Sequence, residues 1–172
     1  MHISLDFFKQ NNIHIDWGTL YVGYKLHLLK EDDISDYAVE FLTNYSETDD
    51  TNIIQLAMHR SNIDFENLLK ELSDLNLNNM ACQFEVRKWR LSVLSLIKKA
   101  YQDDREELLV KVSEAYADFN YPEDMDYFIN YLTPLDGYNP SKHTKNENIT
   151  RLINLFYEFL FKEQRYIVSG KH

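Results

Sequence analysis

Four glycines and three prolines are all that this 172-residue chain contains. Sandwiches and barrels need tight turns at short intervals, and glycine supplies the positive-φ positions in many of them. A chain so poor in both residues points to helices joined by short polar connections. The same scarcity removes glycine-rich phosphate loops, because no Gly-x-Gly or Walker-type run is present.

The apolar residues bear this out by their spacing. Ile34, Tyr37, Ala38, Phe41, Leu42 and Tyr45 form one continuous helical stripe behind Glu31, Asp32 and Asp33. Acids at that place suit the amide-rich start of a helix. Trp17, Leu20, Tyr21 and Tyr24 form a shorter stripe, with Asp16 placed to cap it. Phe65, Leu68, Leu69, Leu72 and Leu75 repeat the pattern after Asp64, and Leu108, Leu109, Val112, Ala115, Tyr116 and Phe119 repeat it again.

The longest helix is expected from about Asn79 to Gln102. Val86, Trp89, Val93, Leu96, Ile97 and Ala100 would share its buried arc, and Arg87, Lys88, Lys98 and Lys99 a solvated basic back. Pro122 is expected to open a further helix that buries Met125, Phe128, Ile129 and Leu132. Residues 134–146 read as a long loop, and about 147–168 as a last helix, apolar around much of its circumference and central. The fold class is therefore all-α: a single domain over 1–172, an irregular helical bundle or stacked helix pairs of about seven or eight helices. A chain of this length buries about 70% of its unfolded surface, enough for one core.

The balance of 28 acids against 18 bases gives a net charge of −10 and disfavours binding that neutralises nucleic-acid phosphates. Residues 1–86 hold 15 acids and 5 bases, whereas residues 87–172 hold 13 of each. From Glu31 to His59 there are eight carboxylates and no Lys or Arg. Such a surface attracts basic partners and speeds their encounter. Cys82 is the single cysteine, so no intramolecular disulfide can form, and it reads as a buried apolar residue or a thiol. The first residues lack a basic region followed by an apolar run, and no stretch is long enough for a membrane helix. A cytoplasmic location is the expectation.

Nothing in the residues points to catalysis. The six histidines show no His-x-x-x-His or Glu-x-x-His spacing, so neither a metal nor another cofactor is expected. Asp103-Asp104-Arg105-Glu106-Glu107 and Asp124-Met125-Asp126 each precede an expected helix, where acids serve as caps. Ser95-Leu96-Ile97-Lys98 matches a nucleophile tetrapeptide without its context. Nucleic acid could be held only through Arg87, Lys88, Arg90, Lys98 and Lys99. The surplus lies in aromatics, twelve tyrosines and ten phenylalanines. Tyrosine belongs to core edges and interface hot spots, and several flank acids here, as in Tyr121-Pro122-Glu123-Asp124. Candidate partner-binding residues are Asp32, Asp33, Asp36, Glu40, Glu47, Asp49 and Asp50 in the first half. In the second they are Asp103, Asp104, Glu106, Glu107, Tyr121, Glu123 and Asp126.

A resemblance extends this reading. The first half carries Trp17-Gly18-x-Leu20-Tyr21-x-Gly23, then Leu28-Leu29-x-x-Asp32-Asp33-Ile34-x-x-Tyr37-Ala38, then Ile54-x-Leu56-Ala57. The second carries Phe119-x-Tyr121-Pro122-Glu123-Asp124-Met125-x-x-Phe128-Ile129-x-Tyr131, a loop and a final apolar helix. In that order, over about 15–168, the chain resembles an uncharacterised family of small all-helical bacterial proteins. Members of that family are found among candidate immunity proteins of polymorphic and contact-dependent toxin systems. The resemblance implies a non-enzymatic antitoxin that binds the C-terminal domain of a cognate toxin, a basic nuclease such as a tRNA-cleaving one. The alternative is a helical adaptor or scaffold for an unrelated protein.

Overall fold

The computed structural model describes residues 2–58, 62–73 and 80–170, and every regular element among them is helical. They group into two compact units, one ending at Trp89 and one beginning at Arg90. The long helix α6 (Met80–Ala100) contributes residues to both. None of the described helices is long and apolar enough to cross a membrane.

The first unit holds α1 (Asp6–Gln10), α2 (Trp17–Lys25), α3 (Glu31–Asn44), α4 (Thr51–Met58) and α5 (Phe65–Ser73). α2 packs on α5, α3 on α4, and α4 on α5. Three acids of this unit cap their helices, whereas Asp124 and Asp126 of the second, also expected as caps, are bound instead by Arg90 and Tyr116. The Asp16 carboxylate accepts the Thr19 amide at 2.8 Å, Asp33 accepts that of Lys30 at 2.9 Å, and Asp64 accepts that of Asn67 at 3.1 Å. Leu75, the last member of the α5 stripe, lies outside the described residues, as does Asn79.

Trp89 closes this core. Its Nε1 donates to the Thr19 carbonyl at 2.8 Å, and its ring meets that of Phe8 edge-on at 4.7 Å. Gly23 lies under the indole: a Cβ there would sit 2.2 Å from Trp89 Cζ2. α2 then ends in a Schellman turn built on His27 at φ 55°, with the Leu28 amide donating to the Gly23 carbonyl at 2.9 Å.

The second unit holds the rest of α6, α7 (Arg105–Asp118), a 3-10 segment (Glu123–Phe128) and α8 (Lys145–Ser169). The 3-10 segment and α7 both pack on α8. Asp104 caps α7 through the Glu107 amide at 3.0 Å, and Thr144 and Glu147 form a capping box on α8. α8 therefore begins two residues before the expected start.

Three expectations are corrected. The segment after Pro122 is a 3-10 turn rather than an α-helix. It buries Met125 and Phe128, whose three-residue spacing suits three residues per turn, and the chain turns extended at Ile129, leaving Leu132 half-buried. α8 is not buried around much of its circumference: Ile153, Phe156, Leu160, Glu163 and Ile167 form one buried stripe, while its apolar Phe161 and Val168 are exposed. Most important, α6 has no basic solvated back at Lys88. Every residue from Lys88 to Leu94 is buried, Lys88 and Arg90 included.

Candidate binding surfaces

The buried charges of α6 show what each unit does with its ionic groups. In the first unit Lys88 Nζ lies 2.8 Å from Glu85 Oε1 and also donates to the His14 carbonyl at 3.0 Å. The Thr19 hydroxyl donates to Glu85 Oε2 at 2.7 Å. Burial pushes the Glu85 carboxyl above its ordinary value, against the opposing pull of Lys88. In the second unit the Arg90 guanidinium grips Asp124 with two bonds, at 2.8 and 2.5 Å, and reaches Glu163 Oε1 at 3.3 Å. Asp124 is 46% exposed, so this second cluster is open to water on one side. Both arrangements tie helices together, and they withdraw Lys88 and Arg90 from any basic surface. Lys98, further along, sits 4.1 Å over the Tyr157 ring.

Acids from the first half of the sequence do assemble. α3 buries Ile34, Ser35 and Ala38 against α4, where the Ser35 hydroxyl donates to the Leu56 carbonyl at 2.8 Å. Tyr37 and Phe41 pack on Trp17, with ring centroids at 5.1 and 5.3 Å, and Tyr45 follows Phe41 at 4.7 Å. Burial pushes the Tyr37 hydroxyl up to about 12, and it donates to the Ile15 carbonyl. With Ile34, Ser35, Tyr37, Ala38 and Phe41 turned inward, and Tyr45 beyond the helix exposed, Asp32, Asp36, Val39, Glu40 and Thr43 form the exposed stripe of α3. Glu47, Asp49 and Asp50 continue the acidic run into the following loop. Asp33 is engaged at the helix start, where His2 meets it at 2.7 Å, and Glu40 pairs with Lys9 at 2.7 Å. Asp50 accepts the Asn52 amide at 2.8 Å. Asp36, Glu47 and Asp49 form no ion pair among the described residues.

The candidates of the second half separate. Asp103, Asp104, Glu106 and Glu107 stand at the start of α7, where Glu106 pairs with Lys145 at 2.6 Å and Glu107 lies 3.6 Å from Lys111. Tyr121, Glu123 and Asp126 follow its other end, and α7 has 14 residues, roughly 20 Å of helix. There Asn120 and Tyr121 both take positive φ, 61° and 57°. The Tyr121 amide donates to the Tyr116 carbonyl at 2.9 Å, a Schellman turn that sets the two rings 5.3 Å apart. Tyr116 donates to Asp126 Oδ1 at 2.6 Å, and that bond, with burial, pushes its hydroxyl up to about 12.

Sequence reasoning missed Tyr116 and Tyr131 as members of this cluster, although the density of tyrosine around Tyr121 was visible. It also missed the Thr19–Glu85–Lys88 network. The only local trace of that network is the Asp16-x-x-Thr19 cap. A groove of about 310 Å³ runs between the 3-10 segment and α8, lined by Tyr127, Phe128, Leu155 and Phe159, with Asp124, Glu158 and Lys162 also in its wall. Cys82 is buried, and burial pushes its thiol up, away from nucleophilic use. Among the described residues no three His, Cys, Asp or Glu side chains converge as a metal site.

No curated protein and no solved structure matches the chain. A family model does, over residues 5–164, and its description reads "uncharacterized protein conserved in bacteria". With that match spanning nearly its whole length, this all-helical chain belongs to the bacterial family DUF2247.

Proposed function

We propose that this protein is an immunity protein, which binds the C-terminal domain of a cognate bacterial toxin in the cytoplasm and neutralises it without turnover. The observation that carries the reading is the outer face of α3 with the loop behind it. Asp32, Asp36, Glu40, Glu47 and Asp49 are exposed there, in a stretch that holds eight carboxylates and no Lys or Arg from Glu31 to His59. A nuclease that holds a phosphate backbone is basic where it does so. An acidic partner finds such a domain quickly and competes for the same surface. A tRNA-cleaving domain is the kind of toxin that fits.

The test is co-expression with the toxin domain encoded immediately upstream. A salt-sensitive one-to-one complex that restores growth to the poisoned cell is expected. Absence of a complex, with growth still arrested, overturns the reading. The second reading is a helical adaptor for an unrelated protein, and the apolar groove beside α8 favours it, since a phosphate-binding partner has little use for that feature. Full rescue and complex formation by a variant with the α3 acids reversed would keep the immunity role and remove the α3 face from it, whereas no toxin complex at all moves the balance to the adaptor.

A further inference from the structure

Two tyrosines of the second unit carry a cation of the same chain on their rings. Arg151 Cζ lies 4.2 Å over the Tyr138 ring while its Nη2 pairs with Asp136 at 2.5 Å, a guanidinium held between an aromatic face and a carboxylate. Lys98 covers Tyr157. Tyr121 and Tyr131 carry no such cation among the described residues, yet they are 57% and 60% exposed. Both rings flank the buried Tyr116, at 5.3 and 6.5 Å, with planes inclined 81° and 58° to it. Tyr116 in turn binds Asp126.

The charge around this cluster is one-sided. Between Lys111 and Lys142 the chain has six acids and no Lys, Arg or His. Three of those acids are already matched, Glu114 by Lys111, Asp124 by Arg90 and Asp136 by Arg151. Asp118, Glu123 and Asp126 form no ion pair among the described residues. Tyr121 is held at φ 57°, an unfavourable conformation for a bulky side chain. Such strain persists where the surrounding structure enforces it, and it gathers at binding sites.

We propose that the Tyr116–Tyr121–Tyr131 cluster receives an arginine side chain of a protein partner, with the guanidinium against the Tyr121 and Tyr131 rings and Asp126 and Glu123 as its acceptors. The contacts would be of the kind Arg151 makes with Tyr138 and Asp136, with the cation supplied from outside. Arginine suits it better than lysine because a planar guanidinium stacks on a ring and still directs donors to a carboxylate. The inference rests on the reading of the protein as a binder of a basic partner, and it names the group that would be read.

The test uses the full chain and two probes, acetyl-Gly-Arg-Arg-Gly-amide and its lysine counterpart, followed through the tyrosine ring signals in aromatic NMR. Saturable shifts at Tyr121 and Tyr131 are expected, with the lysine peptide binding more weakly. Tyr131→Ala and, separately, Tyr121→Ala should each weaken the arginine peptide roughly threefold. Asp36→Asn with Glu40→Gln on α3 should leave those shifts unchanged. Equal binding of the two peptides, or affinity untouched by both tyrosine substitutions, would overturn the proposal. The two readings fail separately: a toxin complex that forms while the peptides leave Tyr121 and Tyr131 unmoved sinks only the arginine site. Tyrosine shifts without any toxin complex sink only the immunity role.

Discussion

The two units bury a cation alike but differ in what they leave exposed. In the first, a cation is closed inside a pair with Glu85 while Asp36, Glu47 and Asp49 stand in water without partners of opposite sign. In the second, Glu106, Glu107, Glu114, Asp124 and Asp136 are matched by the unit's own bases, and the unmatched Glu123 and Asp126 stand in the segment that follows the exposed Tyr121. Bare acids act at long range and set the rate of encounter, whereas exposed aromatic rings act only in contact. In the proposed immunity role, steering would fall to α3 with its following loop and close recognition to the turn after α7.

The largest effects that would break this comparison lie in the buried pairs. Glu85→Gln leaves Lys88 buried without a countercharge and should cost about 3–5 kcal/mol in urea unfolding at pH 7. Asp124→Asn leaves Arg90 with Glu163 and removes a half-exposed carboxylate, so about 1 kcal/mol is expected. Equal costs would show that the second cluster is as closed as the first. The sign with pH follows from the raised Glu85 carboxyl. As pH falls through that raised value the native protein itself protonates Glu85, so the deficit of Glu85→Gln shrinks toward acid and is full above it.

Glycines offer the next contrast. Gly23→Ala drives a methyl into Trp89, whose ring is pinned by Thr19 and Phe8, and should cost about 3 kcal/mol. Gly137→Ala meets open space but keeps φ 76°, and about 1 kcal/mol of backbone strain is expected from the same unfolding curves. On the surface, Asp36→Lys with Glu40→Lys, Glu47→Lys and Asp49→Lys should slow association with a basic toxin domain about tenfold at low salt, read by stopped flow. Unfolding midpoints should stay near those of the parent.

The smallest effect is alkaline. Tyr37 and Tyr116 hold their protons up to about 12, above the ordinary value of 10.0. Between those values the unfolded chain ionises and the native one does not, so stability is complete below pH 10 and declines as pH rises toward 12. Tyr116→Phe should make that decline shallower in an ultraviolet-monitored titration.

The helices with a one-sided apolar stripe and an acidic cap were legible in the sequence, since both signals are local: Asp16, Asp64 and Asp104 cap where their spacing says they should. The α3 stripe was legible for the same reason, because burying Ile34 and Ala38 turns Asp32 and Asp36 outward. What escaped depends on partners far along the chain. Lys88 is buried because Thr19 and His14, roughly seventy residues away, satisfy it, and Arg90 because Glu163 does. Periodicity sees a lysine and assigns it to water. The tyrosine cluster was half legible: Tyr121 stood out beside acids, while the approach of Tyr131 to Tyr116 follows a 3-10 turn that an apolar run alone does not distinguish from an α-helix.

We propose that the exposed carboxylates of α3 and of the loop behind it bring this protein to a basic toxin domain. This is tested most directly by the association rate of the two purified proteins between about 25 and 300 mM salt, where screening shortens the reach of exposed charge. A rate that falls at least about tenfold across that range, and much less for the α3 charge-reversal variant, is the predicted result. A rate indifferent to salt, or a variant as salt-sensitive as its parent, would contradict it.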